Sequence, residues 1–325
     1  MHDDDPLFTG GPLPEDLTRL ERRLSQLPLP PEPDWDAARA HEARTPQLLF
    51  AAAAALLLAA LAGGGWLARD AWLVETVAGS PKLAGFAFAG RLGMGGTLST
   101  DGASRARLLV TGLGEVELEP GSVLRRVRGH GEERRLALDH GELHARISAP
   151  PRQFVVETRG AVATDLGCAY TLVVARDGSG RLTVTSGRVA FADRGHESFV
   201  PAGLWCPLRT DGVGVPRREY AGDAFIEAVA AYDSPARAPG SLDTLLSRAE
   251  ALDAITLWHL LPRVSGDERV RVATRIAALI EVPSGVPLAR VLALEPAALD
   301  AWWDALGMGA TSEWRAWESG RAPGR

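Results

Sequence analysis

The sequence predicts a multi-domain chain: one transmembrane helix, an all-β domain that is a sandwich, roll or short solenoid, and a C-terminal all-α domain. Three observations predict it. Residues 48–68 run for twenty-one positions without a charge. Residues 91–209 alternate polar and apolar side chains at period two, and beyond Pro216 the apolar period lengthens to that of a helix.

At about 1.5 Å per residue the uncharged run reaches about 31 Å, the thickness of a bilayer's hydrocarbon core. A buried Ala/Leu helix of a soluble domain rarely stays uncharged so long, and a secretory signal starts earlier in a chain. Ala51, Ala55, Ala59 and Gly63 recur at every fourth position, a spacing that lets two such helices approach closely and admits a homodimer. Arg39 and Arg44 precede the run while Arg69 and Lys82 follow it, so positive charge alone does not orient it.

Composition narrows the function classes. The chain has 325 residues, more than the roughly 250 at which single cores stop growing, and 46% of them are hydrophobic, enough for real cores. The formal charge is −6, but residues 1–46 alone hold ten acids against five arginines. The remainder is close to neutral, which excludes a nucleic-acid binder with a basic face. Cys168 and Cys206 are too few for a disulfide scaffold and lack the ligand number of a zinc site.

Residues 1–46 form the amino-terminal segment. Within PEDLTRLERRLSQL, Leu17, Leu20, Leu24 and Leu27 fall on one helical face, with Glu15 and Asp16 in the first turn, where acids favour the helix dipole. PLPPEP ends that helix. A helix this short is marginal alone in water, so the leucine stripe calls for a partner: a membrane surface, a second copy, or another protein. The apolar span covers 47–68, and 69–90 reads as a linker.

From 91 to 209 turn pairs recur at Asp101-Gly102, Pro120-Gly121, His130-Gly131, Arg159-Gly160, Ser186-Gly187 and Arg194-Gly195. Between them Ala106, Leu108 and Val110 alternate with Arg105 and Arg107, and Val116 and Leu118 alternate with Glu115, Glu117 and Glu119. Leu143, Ala145 and Ile147 form a third set and Tyr170, Leu172 and Val174 a fourth. Such alternation marks half-buried strands. The helical domain, 217–320, carries helical spacing over 225–232, 241–252, 254–264, 267–281 and 296–307. Trp258, Trp302, Trp303, Trp314 and Trp317 concentrate there, as core or as binding hot spots.

No motif carries chemistry. The chain has no HExxH, no Gly-x-Ser-x-Gly, no phosphate-binding loop and no dinucleotide fingerprint, so the expectation is no enzyme, no cofactor and no metal. His140 and His144, four apart on a strand, stand some 13 Å apart, too far for one ion. Arg125, Arg126, Arg128, Arg134 and Arg135 flank the His130-Gly131 turn with Glu132 and Glu133 among them, and read as a solvated hairpin tip.

The runs GTLSTDGASRARLLVTGLGEVELEPGSVL, LALDHGELHARI, FVVETRGAVATDLGCAYTLVV, LTVTSGRVAF and FVPAG, in that order from about 92 to 205, resemble the FecR domain of bacterial single-span regulators. The resemblance implies that residues 1–46 lie in the cytoplasm and act on an extracytoplasmic-function sigma factor. It implies that the β domain lies in the periplasm, on the outer side of the inner membrane, and senses a receptor or other envelope protein. Cys168 and Cys206 each close a family segment, DLGCAY and PAGLWC, and in an oxidising compartment are expected to pair. The expected function is a membrane-anchored regulator relaying an envelope signal through Leu17, Leu20, Leu24 and Leu27. The alternative is an envelope scaffold whose β and helical domains hold other proteins or cell-wall polymer.

Overall fold

The computed structural model describes residues 15–26, 28, 70–234, 236–309 and 311. The chain divides into two units at residue 64. In the first, a helix α1 spans Glu15–Leu24, and none of its residues is buried.

The second unit begins with eighteen strands among the described residues: β1 Trp72–Ala78, β2 Lys82–Ala84, β3 Ala87–Phe88, β4 Arg91–Leu92, β5 Thr97–Ser99, β6 Arg105–Val110, β7 Gly114–Leu118, β8 Val123–Val127, β9 Arg134–Ile147, β10 Phe154–Glu157, β11 Val162–Asp165, β12 Ala169–Val174, β13 Gly180–Ser186, β14 Arg188–Ala192, β15 Glu197–Pro201, β16 Leu204–Arg209, β17 Gly212–Val213 and β18 Arg217–Arg218. They form two sheets. The first runs β3-β4-β1-β6-β7-β9-β12-β13-β16, with β17 and β18 both on β16. The second runs β2-β5-β8-β9-β10-β11-β14-β15.

Strand β9 belongs to both sheets. Its first half pairs with β8 and, in parallel, with β10; its second half pairs with β7 and β12. The crossing falls at Gly141, whose φ of 109° is one that side chains rarely adopt, and where a Cβ would overlap the Ser122 side chain and backbone. Hydroxyl groups hold the corner. Glu142 N–H donates to Ser122 Oγ at 3.0 Å, Ser122 N–H to Thr100 Oγ1 at 3.0 Å, and Thr100 Oγ1 to the Glu119 carbonyl at 2.7 Å. Backbone groups that lose ladder partners at the switch are thereby satisfied.

Between the sheets lies one core. Leu108, Val116, Leu143, Leu172 and Leu182 enter it from the first sheet, Leu124, Leu138, Phe154, Val156 and Phe191 from the second. Arg126 is buried there too, 2% exposed. Its guanidinium lies 4.1 Å from the Trp72 ring centroid and donates to the Leu92 carbonyl at 3.1 Å and to Asp70 Oδ2 at 2.6 Å. Cation–π contact and the Asp70 carboxylate offset part of its desolvation, which still lowers its pKa.

Helices follow: α2 Asp223–Asp233, α3 Ser241–Arg248, α4 Ala254–Leu260, α5 Gly266–Leu279, α6 Leu288–Leu292 and α7 Pro296–Ala305. Their own core gathers Phe225, Val229, Leu245, Leu257, Leu260, Val272, Ile276, Val291 and Trp302. The neighbouring Trp303 belongs with Ile255 to the sandwich core instead, with its ring edge-on to Phe199 at 6.3 Å. Trp314 and Trp317 lie outside the described residues.

Two expectations are corrected. Among the described residues no helix is long and apolar enough to cross a membrane. The longest, α5, has 14 residues, about 21 Å against a hydrocarbon core of about 30 Å. Residues 48–68, expected to span, lie outside the described residues. The observed architecture is a β sandwich with a C-terminal helical region. The stretch 69–90, expected as a linker, contains β1, β2 and β3, and β1 pairs along most of its length with β6.

Replacing Gly141 with Ala tests the corner. Gly131 also has positive φ, 59°, but a Cβ there meets nothing within 4 Å. Gly131→Ala is expected to cost about 1 kcal/mol and Gly141→Ala about 3 kcal/mol or more in urea unfolding. Equal costs would remove the argument for a close-packed switch.

Candidate functional site

Helix α1 presents its leucines to solvent. Leu17, Leu20 and Leu24 are 38%, 53% and 58% exposed, and Leu27 lies outside the described residues. Glu15 and Asp16 occupy the first turn and Arg22 and Arg23 the last, so charges at both ends complement the helix dipole. The geometry is an exposed apolar stripe on a ten-residue helix.

The expected disulfide is not made. Both cysteines are buried free thiols. Register gives the reason: Cys206 pairs with Leu182 and Leu182 with Leu172, four residues beyond Cys168. Two strand spacings across and four residues along separate the cysteines by about 16 Å, whereas a bridge needs Cα atoms within about 7 Å. Cys206 Sγ lies 3.3 Å from the Gly214 carbonyl, and burial pushes its thiol up to about 12.

Cys168 bonds instead to Asp165, at the end of β11. The Asp165 carboxyl, 1% exposed, accepts from the Cys168 thiol through Oδ2 and from Gly167 N–H through Oδ1, the latter at 2.7 Å. Desolvation raises its pKa to about 6. Burial and the neighbouring carboxylate both push the Cys168 thiol up, so it is no nucleophile at neutral pH.

The basic cluster around His130-Gly131 is taken apart by the fold. Arg126 turns into the core, Arg125 forks onto Asp139 with contacts of 2.9 to 3.1 Å, and Arg135 pairs with Glu133 and Glu157. His144 Nδ1 meets Thr171 Oγ1 at 2.8 Å on the outer face of the first sheet. Among the described residues no group of three or more His, Cys, Asp or Glu side chains has the arrangement to hold a metal ion.

Sequence reasoning missed a cavity of about 460 Å³ beside the β9 corner. Arg125, Ala137, Leu138, Asp139, His140, Glu157, Thr158, Arg159 and Arg176 line it. Arg159 stands at the tip of the β10–β11 hairpin, where Thr158 Oγ1 accepts from Gly160 and Ala161 N–H and closes the turn. Arg176 stands at the tip of the β12–β13 hairpin, in the other sheet. The only signal in the sequence was an arginine in each of two separate turns.

Residues 96–190 match the family model described as FecR protein, so the sandwich is FecR-like over that stretch, as the resemblance over 92–205 implied. Two solved structures of a candidate anti-sigma factor from Parabacteroides distasonis, at 1.65 and 2.50 Å resolution, are similar to part of the chain. Identities are 18% and 19%, the TM-score is 0.33 for both, and the match covers 41% and 42% of this chain. It covers 63% of each of those chains, under two thirds of their length. No curated protein matches.

Two measurements follow from the thiols and their carboxyl. Alkylation of the folded protein without reductant is expected to modify neither cysteine, and alkylation after unfolding without reductant to modify both; protection of both after unfolding would show a bond. For Asp165 the folded pKa, about 6, lies above the about 3.9 of an unfolded aspartate. The neutral acid is the form the fold prefers, so its contribution is complete below about pH 4 and is lost as pH rises through about 6. Asp165→Asn is therefore expected to gain stability relative to the wild type between pH 4 and pH 7, by on the order of 2 kcal/mol in parallel urea titrations. A flat difference across that range would mean that the carboxyl does not titrate there.

Proposed function

We propose that this chain is a FecR-type regulator whose amino-terminal segment binds a sigma factor of the extracytoplasmic-function class. The match of residues 96–190 to the FecR model carries the reading. The exposed stripe of Leu17, Leu20 and Leu24 supplies the contact surface on α1, with Leu27 continuing it in sequence. The segment acts in the cytoplasm, where sigma factors work, and the sandwich receives an envelope signal through a receptor or other protein. Relay, not catalysis, is the mechanism.

The energetics suit a reversible switch. Covering four leucines contributes on the order of 6 to 10 kcal/mol, at about 1.5 to 3 for each. Docking and ordering a helix that is marginal alone cost a comparable amount, which leaves about micromolar affinity. The excess of acids over arginines in residues 1–46 disfavours an anionic lipid surface as the stripe's partner.

Affinity capture from cells, with the intact chain and with a Leu20→Asp, Leu24→Asp variant, tests the reading. The intact chain is expected to retain a sigma factor and the variant to lose at least about nine tenths of it, since each aspartate forfeits leucine burial and adds a charge to desolvate. Capture of no sigma factor, or equal capture by both, would leave the scaffold as the explanation of the chain.

A further inference from the structure

We propose that the cavity at the β9 corner binds a small ligand bearing an oxyanion, a carboxylate or a phosphate, held by Arg159 and Arg176. Charge accounting within the cavity points to this chemistry. Its two acids are already engaged: Asp139 takes the fork of Arg125, and Glu157 takes Arg135 Nη1 at 3.0 Å. Arg159 and Arg176 have no hydrogen bond or ion pair with the described residues. Outside the lining, Asp177 feels the charge of Arg159, while its Oδ1 accepts from Ser179 N–H and Oγ at 2.8 and 2.7 Å within its own turn.

The two arginines arrive from different sheets. The stem of Arg159 runs beside Gly178, 3.7 Å from where a Cβ would stand, which sets it against the turn that carries Arg176. Two planar guanidinium forks over one concave surface match the paired oxygens of a carboxylate or phosphate. Ala137 gives a small apolar surface, and the ring nitrogens of His140, which also lines the cavity, can meet a hydroxyl of the ligand. A volume of about 460 Å³ falls within the roughly 300 to 1,000 Å³ of small-molecule sites. The whole lining lies inside the FecR-matched stretch, and the inference does not depend on the identity of the partner of α1.

Calorimetric titration of the purified full chain with citrate and, separately, with inorganic phosphate tests it, with glycerol as the uncharged control. At least one anion is expected to saturate at low salt and to weaken about tenfold as ionic strength rises toward 0.5 M. Arg159→Gln with Arg176→Gln is expected to weaken that binding at least about tenfold while leaving the thermal midpoint in place, because both residues stand exposed at turn tips. If the double variant melts lower, each single variant must still lose affinity at an unchanged midpoint. Saturation by citrate alone assigns a carboxylate ligand and by phosphate alone a phosphate. No saturation by either anion, equal binding by the variants, or glycerol binding as strongly as the anions would overturn the proposal.

Discussion

The sandwich depends on one backbone position. A strand of 14 residues, about 46 Å when extended, is longer than one sheet of this domain uses, and β9 divides it between two. Only a residue without Cβ can turn there, because Ser122 fills the space that a side chain would need. The same turn reverses which neighbours each half of β9 meets, so that β10 can return parallel to the first half while β12 runs antiparallel to the second. Two hairpin tips, one from each sheet, then come to the same corner, and with residues of β8, β9 and β10 they line the cavity.

The helical region closes the other end. Strands β15 and β16–β18 end their respective sheets, and such edges invite unwanted pairing unless covered. Arg263, from the short turn after α4, donates to the Val213 and Gly214 carbonyls at 2.9 and 3.1 Å and to Ser198 Oγ at 2.8 Å. Asp233, the last residue of α2, accepts from Val215 N–H at 3.1 Å and pairs with Arg209 at 2.6 Å. Buried charges of this kind cost desolvation and bring geometric specificity more than net stability. The apolar part comes from Trp303 and Ile255, which fill the sandwich core while Trp302 fills the helical one. Helices and sandwich therefore share packed side chains as well as polar contacts.

Period two was legible wherever one face of a strand meets the core and the other meets solvent, as in β6, where Ala106, Leu108 and Val110 are the buried set. It failed where that condition fails. In the first half of β9, Leu136, Ala137 and Leu138 are buried in succession, so no alternation marks the strand. In β1 only Trp72 is buried, and a strand so exposed reads as linker. The cysteines misled because family segments fix order along the chain and not register across it; both fall on one sheet but at different heights. Arg159 and Arg176 were invisible as a pair because the strand switch, which no local pattern announces, is what brings their turns together.

The folded unit is larger than the segment that the family model matches. Within residues 96–190, Arg126 is buried, yet its partners are Asp70, Leu92 and Trp72, all outside that range. Cutting at residue 96 would leave a guanidinium in the core with neither its carboxylate nor its ring, a loss that usually costs several kcal/mol. Cutting at residue 190 would truncate β14, take Phe191 out of the core and remove β15, one of β14's two partner strands. Val213 and Ser198 bind the helical region in turn through Arg263. What folds as one body here runs from Asp70 through the last described helix, so the FecR-like strands do not make a separable module.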